Sequence, residues 1–272
     1  MSRYLHTQTS IWKHNSIFTG EPSIKNLLLF LIVKFIEWFP FYQQIRNEFG
    51  YSTEKDQKAA EMLSQMIKRK ALQVSKLQKK IEGKQVLVIG AGPSLDKNIE
   101  FIKKNKTYTK IASNGVVEIL LNKKIKPDIV VSDLDGNPKY LRMAEKMGAI
   151  MVIHAHGDNM ENLEKHVPKF GKVIGTTQVM PADNVYNFGG FTDGDRGVFL
   201  AEEMKAKSIT LVGMDFDNTP RKFSSDKDVD INMDLKRRKL KFAKRLLEML
   251  AKQSRSKLVN KSATAIKGIK SL

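Results

Sequence analysis

Three acid-rich segments carry the chemistry open to this chain. The first is Ser132-Asp133-Leu134-Asp135-Gly136, at the end of the run Asp128–Ser132. Two carboxylates two residues apart at the end of a buried strand repel each other unless a cation joins them. A hard divalent ion such as Mg²⁺ meets that need and typically bridges substrate phosphates. The competing reading is a turn in which Asp caps the next helix, which explains one acid but not both. The second segment, Phe191-Thr192-Asp193-Gly194-Asp195-Arg196, follows Gly189-Gly190 and sets a cation beside an acid pair, with helix capping as its rival. The third, Met214-Asp215-Phe216-Asp217, repeats acid–aromatic–acid, and a polar loop is its rival.

Gly90-Ala91-Gly92-Pro93-Ser94-Leu95 reads as a strand–turn–helix junction, where free amides at a helix start attract phosphate. It lacks the third glycine of a dinucleotide fingerprint and the Lys-Ser/Thr ending of a P-loop, so a tight packing turn competes. The next run ends in Asn114-Gly115 instead of an acid suited to a ribose diol. His154-Ala155-His156-Gly157-Asp158-Asn159 resembles the His-x-His-x-Asp motif of metallo-β-lactamase-type hydrolases. The five histidines stand at 6, 14, 154, 156 and 166, however, and a His-rich zinc site cannot be assembled from them. These residues read instead as rim groups that contact substrate or organise metal-bound water. The chain has no cysteine, which excludes disulfides and thiolate chemistry, and it has no Gly-x-Ser-x-Gly elbow.

The elements that must position these groups are legible as alternating patterns. Short apolar runs at Gln85–Ile89, Lys110–Ser113, Asp128–Ser132, Ala149–His154, Lys172–Thr176 and Ser208–Val212 read as strands covered on both faces. Amphipathic stretches at Leu95–Lys104, Val116–Lys123, Lys139–Met147, Met160–His166 and from Thr192 to Lys205 read as helices between them. The expectation is an α/β fold, a mostly parallel sheet with helices on both faces. Ligands then bind beyond the carboxyl ends of the strands, where five strands deliver Gly, Asp, Asn, Ser or His to one rim. Before the sheet, the spacing predicts a helix from Glu54 to Ile81, capped by Ser52 or Thr53 and ended by Gly83. After it comes a basic helix from Asp234 to Gln253. The chain divides into an N-terminal extension (1–44), a helical segment (45–83), an α/β catalytic domain (84–253) and a loose basic tail (254–272). Residues 1–23 read as irregular.

The chain of 272 residues carries a net charge of +18, but thirteen Lys or Arg and a single acid, Glu248, lie in residues 236–272. The rest carries only +6, so the basic face reads as solvated and no specific nucleic acid is expected, with RNA contact by the tail as the alternative. Leu27–Phe39 is apolar but broken by Lys34 and Glu37 and closed by Pro40, short of the roughly 20 residues of a spanning helix. It is expected to dock on the protein, with membrane association as the alternative. No signal-peptide pattern precedes it, and a cytoplasmic location is expected.

Taken in order, FGYSTEKDQKAAEML, VLVIGAGPSLD, IVVSDLDG, HAHGDN, GGFTDGDRGVFLA and GMDFD resemble the archaeal 6-hydroxymethyl-7,8-dihydropterin pyrophosphokinases, the MptE-like family, over Ile45–Leu250. That family is similar to thiamin pyrophosphokinases, in which an Asp-x-Asp loop and a later Thr-Asp loop hold Mg²⁺-ATP. The resemblance implies transfer of diphosphate from ATP to the hydroxymethyl group of a reduced pterin, with release of AMP, in folate or methanopterin synthesis. It implies that Asp133 and Asp135 hold Mg²⁺ with support from Asp193 and Asp195. Catalysis would fall to Asp133, Asp135 and Arg196. The nucleotide would lie against Gly90, Gly92, Pro93, Ser94, Asn114, Thr192, Asp193 and Lys239, with Lys236 or Arg238 as alternative cations. His154, His156, Asp158, Asn159 and Asp215 would face the pterin. A homodimer is compatible with it. A nucleotide- or nucleotide-sugar-binding module without this activity, or a thiamin-directed enzyme, remains as an alternative.

Overall fold

Runs of Val, Ile and Leu with no polar face are stable as strands only when both faces are covered. The computed structural model, which describes residues 24–217 and 233–272 with side chains from Ile36, meets that need with one sheet. Its strands are β1 (Gln85–Ile89), β2 (Thr109–Ser113), β3 (Ile129–Ser132), β4 (Ile150–Ala155), β5 (Val173–Thr177), β6 (Val185–Tyr186), β7 (Ser208–Val212), β8 (Lys257–Asn260) and β9 (Lys270–Ser271). Their order is β6-β5-β4-β3-β2-β1-β7-β8-β9, and each neighbouring pair is parallel. The α/β expectation therefore holds. All carboxyl ends meet one rim, and the chain reverses its direction of travel at β1, where β7 enters on the opposite side from β2.

The helices are α1 (Ile24–Phe49), α2 (Thr53–Ile67), α3 (Ser75–Ile81), α4 (Leu95–Lys104), α5 (Val117–Asn122), α6 (Pro138–Lys146), α7 (Met160–His166), α8 (Asp193–Glu203) and α9 (Met233–Ala251). Strand alternation sends Leu87, Ile89, Val130, Met151 and Ile153 to one face, under Leu63 and Ile67 of α2 and Leu95 and Ile102 of α4. Val86, Val88, Ile129, Val131 and Val152 go to the other, under Leu77 of α3, Val198 of α8 and Leu247 of α9.

The helix expected over 54–81 is interrupted. Residues 68–74 leave the helical path so that the Leu72 N–H donates to the Val173 carbonyl (2.8 Å) and the Val173 N–H to that of Lys70 (3.2 Å). The periodic pattern survives the break because α2 and α3 each bury an apolar stripe, but on opposite faces of the sheet. Pro40, expected to close a helix, lies inside α1. Trp38 before it and Tyr42 and Ile45 after it are all buried, so packing carries the helix past the missing N–H. Residues 254–272 are not a loose tail. β8 and β9 extend the sheet, and Val259, Asn260, Thr264, Ile266 and Ile269 are buried.

Trp38 is buried in the core and Phe39 packs against it, which docks the end of the apolar segment. Its side chains before Ile36, and residues 1–23, lie outside the described residues. Among the described residues no helix is long and apolar enough to cross a membrane.

Candidate active site

The loops after β1, β2, β3, β4, β5 and β7, together with α9, surround an open cavity of about 1100 Å³. One wall is acidic. Leu134, at φ 68°, is buried, and its N–H donates to Ser132 Oγ (2.9 Å). That left-handed residue turns its own side chain inward and leaves Asp133 and Asp135 on the cavity wall. Asn114 lies behind them. Ser132 Oγ donates to its Oδ1 (3.0 Å), which orients its Nδ2 to donate to Asp135 Oδ1 and, at 3.5 Å, to Asp133 Oδ1. A side chain at Gly136 would run into that amide.

Burial works to raise the Asp133 carboxyl, but the nearby His156 ring and the Asp135 side, whose N–H donates to Asp133 Oδ1 (3.2 Å), outweigh it and hold it well below its usual range. Burial and then the Asp133 charge push Asp135 up to about 8. Asp193, the first residue of α8, is raised well above its ordinary value by burial and then by the Asp133 and Asp135 charges. The three carboxyls therefore feel one another, and a cation among them would relieve the repulsion. Among the described residues no group of three or more His, Asp or Glu is arranged to hold a metal by itself. The donor set suits Mg²⁺, which keeps several waters and takes one or two carboxylates plus substrate phosphates.

The same cavity also carries cations. Lys236 and Lys239 of α9 and Arg196 of α8 line the cavity. Burial lowers the Lys236 ammonium while the Asp135 charge acts to raise it. Lys239 also lies over the Tyr51 ring, 5.4 Å from its centroid. Arg238 is turned away, against the Phe49 ring and the Glu48 carbonyl.

His154 and His156 stack with centroids 5.5 Å apart. His154 is buried, neither ring nitrogen has a hydrogen-bond partner among the described residues, and burial followed by the Arg196 charge lowers it well below 6.5. His156 Nε2 stands 3.8 Å from Asp133 Oδ2, and its Nδ1 accepts from the Asp158 N–H (3.3 Å). Asn159 is structural: its Nδ2 donates to the carbonyls of Asp133 (2.7 Å) and His154 (2.8 Å), tying the β4 loop to the acidic loop. Asp158 is exposed and does not line the cavity.

Three expected ligand groups are already occupied. Asp195 is fully buried and accepts from the N–H groups of Phe191 (2.6 Å) and Thr192 (2.8 Å) and from Thr192 Oγ1 (2.5 Å). It completes a capping box at the start of α8 and does not line the cavity. Ser94 spends its N–H and hydroxyl on Asp215, whose Oδ1 also accepts from the Ala263 N–H (2.7 Å). Asp215 thus fills the start of α4 where a phosphate was expected, while still lining the cavity. Pro93 is not on the cavity wall, but Gly90 and Gly92 are. Their lack of side chains lets the turn approach Gly213 and Asp215, since a Cβ at Gly92 would lie 2.7 Å from the Gly213 carbonyl oxygen. The packing-turn reading of this motif is the one that fits.

Sequence reasoning missed Asp56 and Gln178. Asp56 sits on the buried stripe of α2, in register with Ala59, Ala60, Leu63 and Ile67, and a carboxylate on an apolar stripe is a usable signal. Gln178 follows β5, the one long strand whose exit residues carried no marked motif.

Residues 57–221 match the family model described as 6-hydroxymethylpterin diphosphokinase MptE-like. The chain is 47% identical to the 6-hydroxymethyl-7,8-dihydropterin pyrophosphokinase of Pyrococcus furiosus, over 84% of this chain and 98% of that one. It is 40% identical to the enzyme of the same name from Methanocaldococcus jannaschii, over 79% and 94%. For that of Methanothermobacter thermautotrophicus the identity is 36%, over 78% and 93%.

Proposed function

The chain belongs to the MptE-like 6-hydroxymethylpterin diphosphokinase family, and from that premise we propose that it transfers diphosphate from ATP to the hydroxymethyl oxygen of 6-hydroxymethyl-7,8-dihydropterin, releasing AMP. One observation carries the reading: a single cleft sets Asp133, Asp135 and Asp193 against Arg196, Lys236 and Lys239. Phosphoryl-type transfer needs little covalent chemistry from the protein and much charge neutralisation, so opposed acids and cations are its expected equipment.

In this reading Asp133 and Asp135 would hold Mg²⁺ with Asp193 in support, and the ion would supply charge neutralisation for the phosphates. Asn114 keeps both carboxylates in place. Lys236, Lys239 and Arg196 bind the phosphate chain and offset the charge that develops on the leaving AMP. Gly90 and Gly92, without side chains, leave room on the nucleotide side of the cleft, Thr192 lies beside Asp193, and His154 and His156 border the space left for the pterin. Purified protein mixed with ATP, Mg²⁺ and the reduced hydroxymethylpterin should form AMP and diphosphorylated pterin in equal amounts. Formation of ADP, or of AMP with thiamin and not with the pterin, would overturn the assignment.

A further inference from the structure

A carboxylate taken out of water is costly unless donors surround it. Asp56 on α2 is 2% exposed. Tyr42 Oη (2.9 Å) and Gln178 Nε2 (2.8 Å) donate to its Oδ2, and the Gly157 N–H (2.7 Å) donates to its Oδ1. Gln178 must therefore turn its amide nitrogen towards α2, which leaves its Oε1 to accept from Arg196 Nη2 at 3.0 Å. The Trp38 Nε1–H donates to the Gln178 carbonyl (2.8 Å) and fixes that residue's backbone. Arg196 is itself 4% exposed, lines the cleft, and has no hydrogen-bond partner on Nη1 among the described residues. A buried donor on a ligand cleft that the protein leaves without an acceptor is one kept for the ligand.

We infer that Asp56 is a positioning residue: through Gln178 it aims Arg196 Nη1 at a phosphate oxygen of the bound nucleotide, which makes the helices ahead of the sheet part of the active-site machinery. The inference rests on the diphosphate-transfer reading of the cleft. The orientation of Gln178 is the physical link. A carboxylate can only accept, so an amide facing it has one way round, and its oxygen is then presented to the guanidinium. Asp56 reaches the cleft by a second arm, since the Gly157 N–H fixes the loop that carries His156. A side chain at Gly157 would meet Lys55 Cβ at 2.7 Å, so α2 and this loop are in close contact.

The test is a double-mutant cycle. Asp56→Asn removes the pure acceptor at nearly constant volume, and Gln178→Met breaks the link while leaving the Tyr42 and Gly157 bonds to Asp56. Each should lower kcat by about a hundredfold, with a smaller change in KM for ATP. In an Arg196→Met background each should cost less than about twofold more, because the residue through which they act is gone. Tyr42→Phe removes a donor to Asp56 without touching Gln178, and should lower the melting temperature while turnover stays within about twofold. Multiplicative losses in the Arg196→Met background would overturn the proposal. So would a Tyr42→Phe loss of turnover equal to that of Asp56→Asn. If Asp56→Asn does not fold, Gln178→Met decides by the same criteria. If the unaltered protein makes no diphosphorylated pterin, the function proposed above fails. The cycle is then read on Mg²⁺-ATP affinity by calorimetry, where non-additive loss upholds the relay and additive loss overturns it.

Discussion

Ser94 donates both its backbone N–H and its hydroxyl to the two carboxylate oxygens of Asp215, at 2.6 and 2.7 Å. A protein carboxylate thus occupies the helix start that a glycine turn of this kind would otherwise offer to a phosphate. Asp215→Ala leaves two backbone N–H groups and a hydroxyl without their acceptor and should lower stability by about 2–4 kcal/mol. Chemical denaturation checks this. A large loss of turnover at unchanged stability would instead return Asp215 to the substrate site.

The acidic loop should behave in the opposite way. Its shape is fixed by Leu134, by Ser132 and by Asn159, which holds the Asp133 carbonyl and not its carboxylate. Asp133→Asn and Asp135→Asn should therefore leave the melting temperature near that of the parent while turnover falls by about a thousandfold. Retained activity in either variant would remove that carboxylate from the metal assignment.

The raised carboxyls give the site a pH signature. Asp135, at about 8, and Asp193 bind protons more firmly folded than unfolded. Their contribution to stability is complete below the unfolded value of 3.8 and is lost as pH rises through the folded one. The melting temperature of the metal-free protein should thus drop between pH 6 and pH 8.5 (about 2.5 units), and excess Mg²⁺ should abolish the drop. Mg²⁺ must displace those protons, so its affinity should rise with pH over the same interval. Calorimetry in buffers of different ionisation enthalpy measures the proton release, and none at pH 7 would contradict the shared-proton cluster.

Shortening the chain tests the last strands. Ending it at residue 256 removes β8 and β9 and exposes the partners of Val259, Ile266 and Ile269, all buried. At about 1.5–3 kcal/mol for each side chain, the loss approaches the whole stability of an ordinary domain. The shortened chain should be unfolded or aggregated by circular dichroism and size exclusion. A folded, active product would restore the view of 254–272 as a dispensable tail.

The sheet was legible where strands were apolar on both faces: the runs at β1, β3, β4, β5 and β7 announce themselves by their Val and Ile content, and β2 by Ile111-Ala112 ahead of its polar exit. β6 and β9, two residues each, and β8, with only Leu258 and Val259 apolar, are defined by the strand they pair with and carry no pattern of their own. At the site, Asp133 and Asp135 reach the cleft where residue type and strand exit coincide, and Asp193 and Arg196 where a glycine pair leads into a helix start. The pairing of Ser94 with Asp215 was not legible because each motif looked open by itself. Their pairing, across 121 residues, exists only once β1 and β7 lie side by side. Asp195 illustrates the ambiguity of an acid near a helix start, where capping and metal binding ask for the same residue in the same place.

The parallel return of the chain beside β1 also has a bearing on synthesis. Asp215 receives one of its donors from Ala263, and the Met214 N–H donates to Ser262 Oγ. Strand β1 and its glycine turn leave the ribosome more than a hundred residues earlier. The rim of the cleft therefore cannot set until residue 263 has emerged, and a nascent chain that is stalled or cut before that point holds its acidic loop without a finished wall beside it.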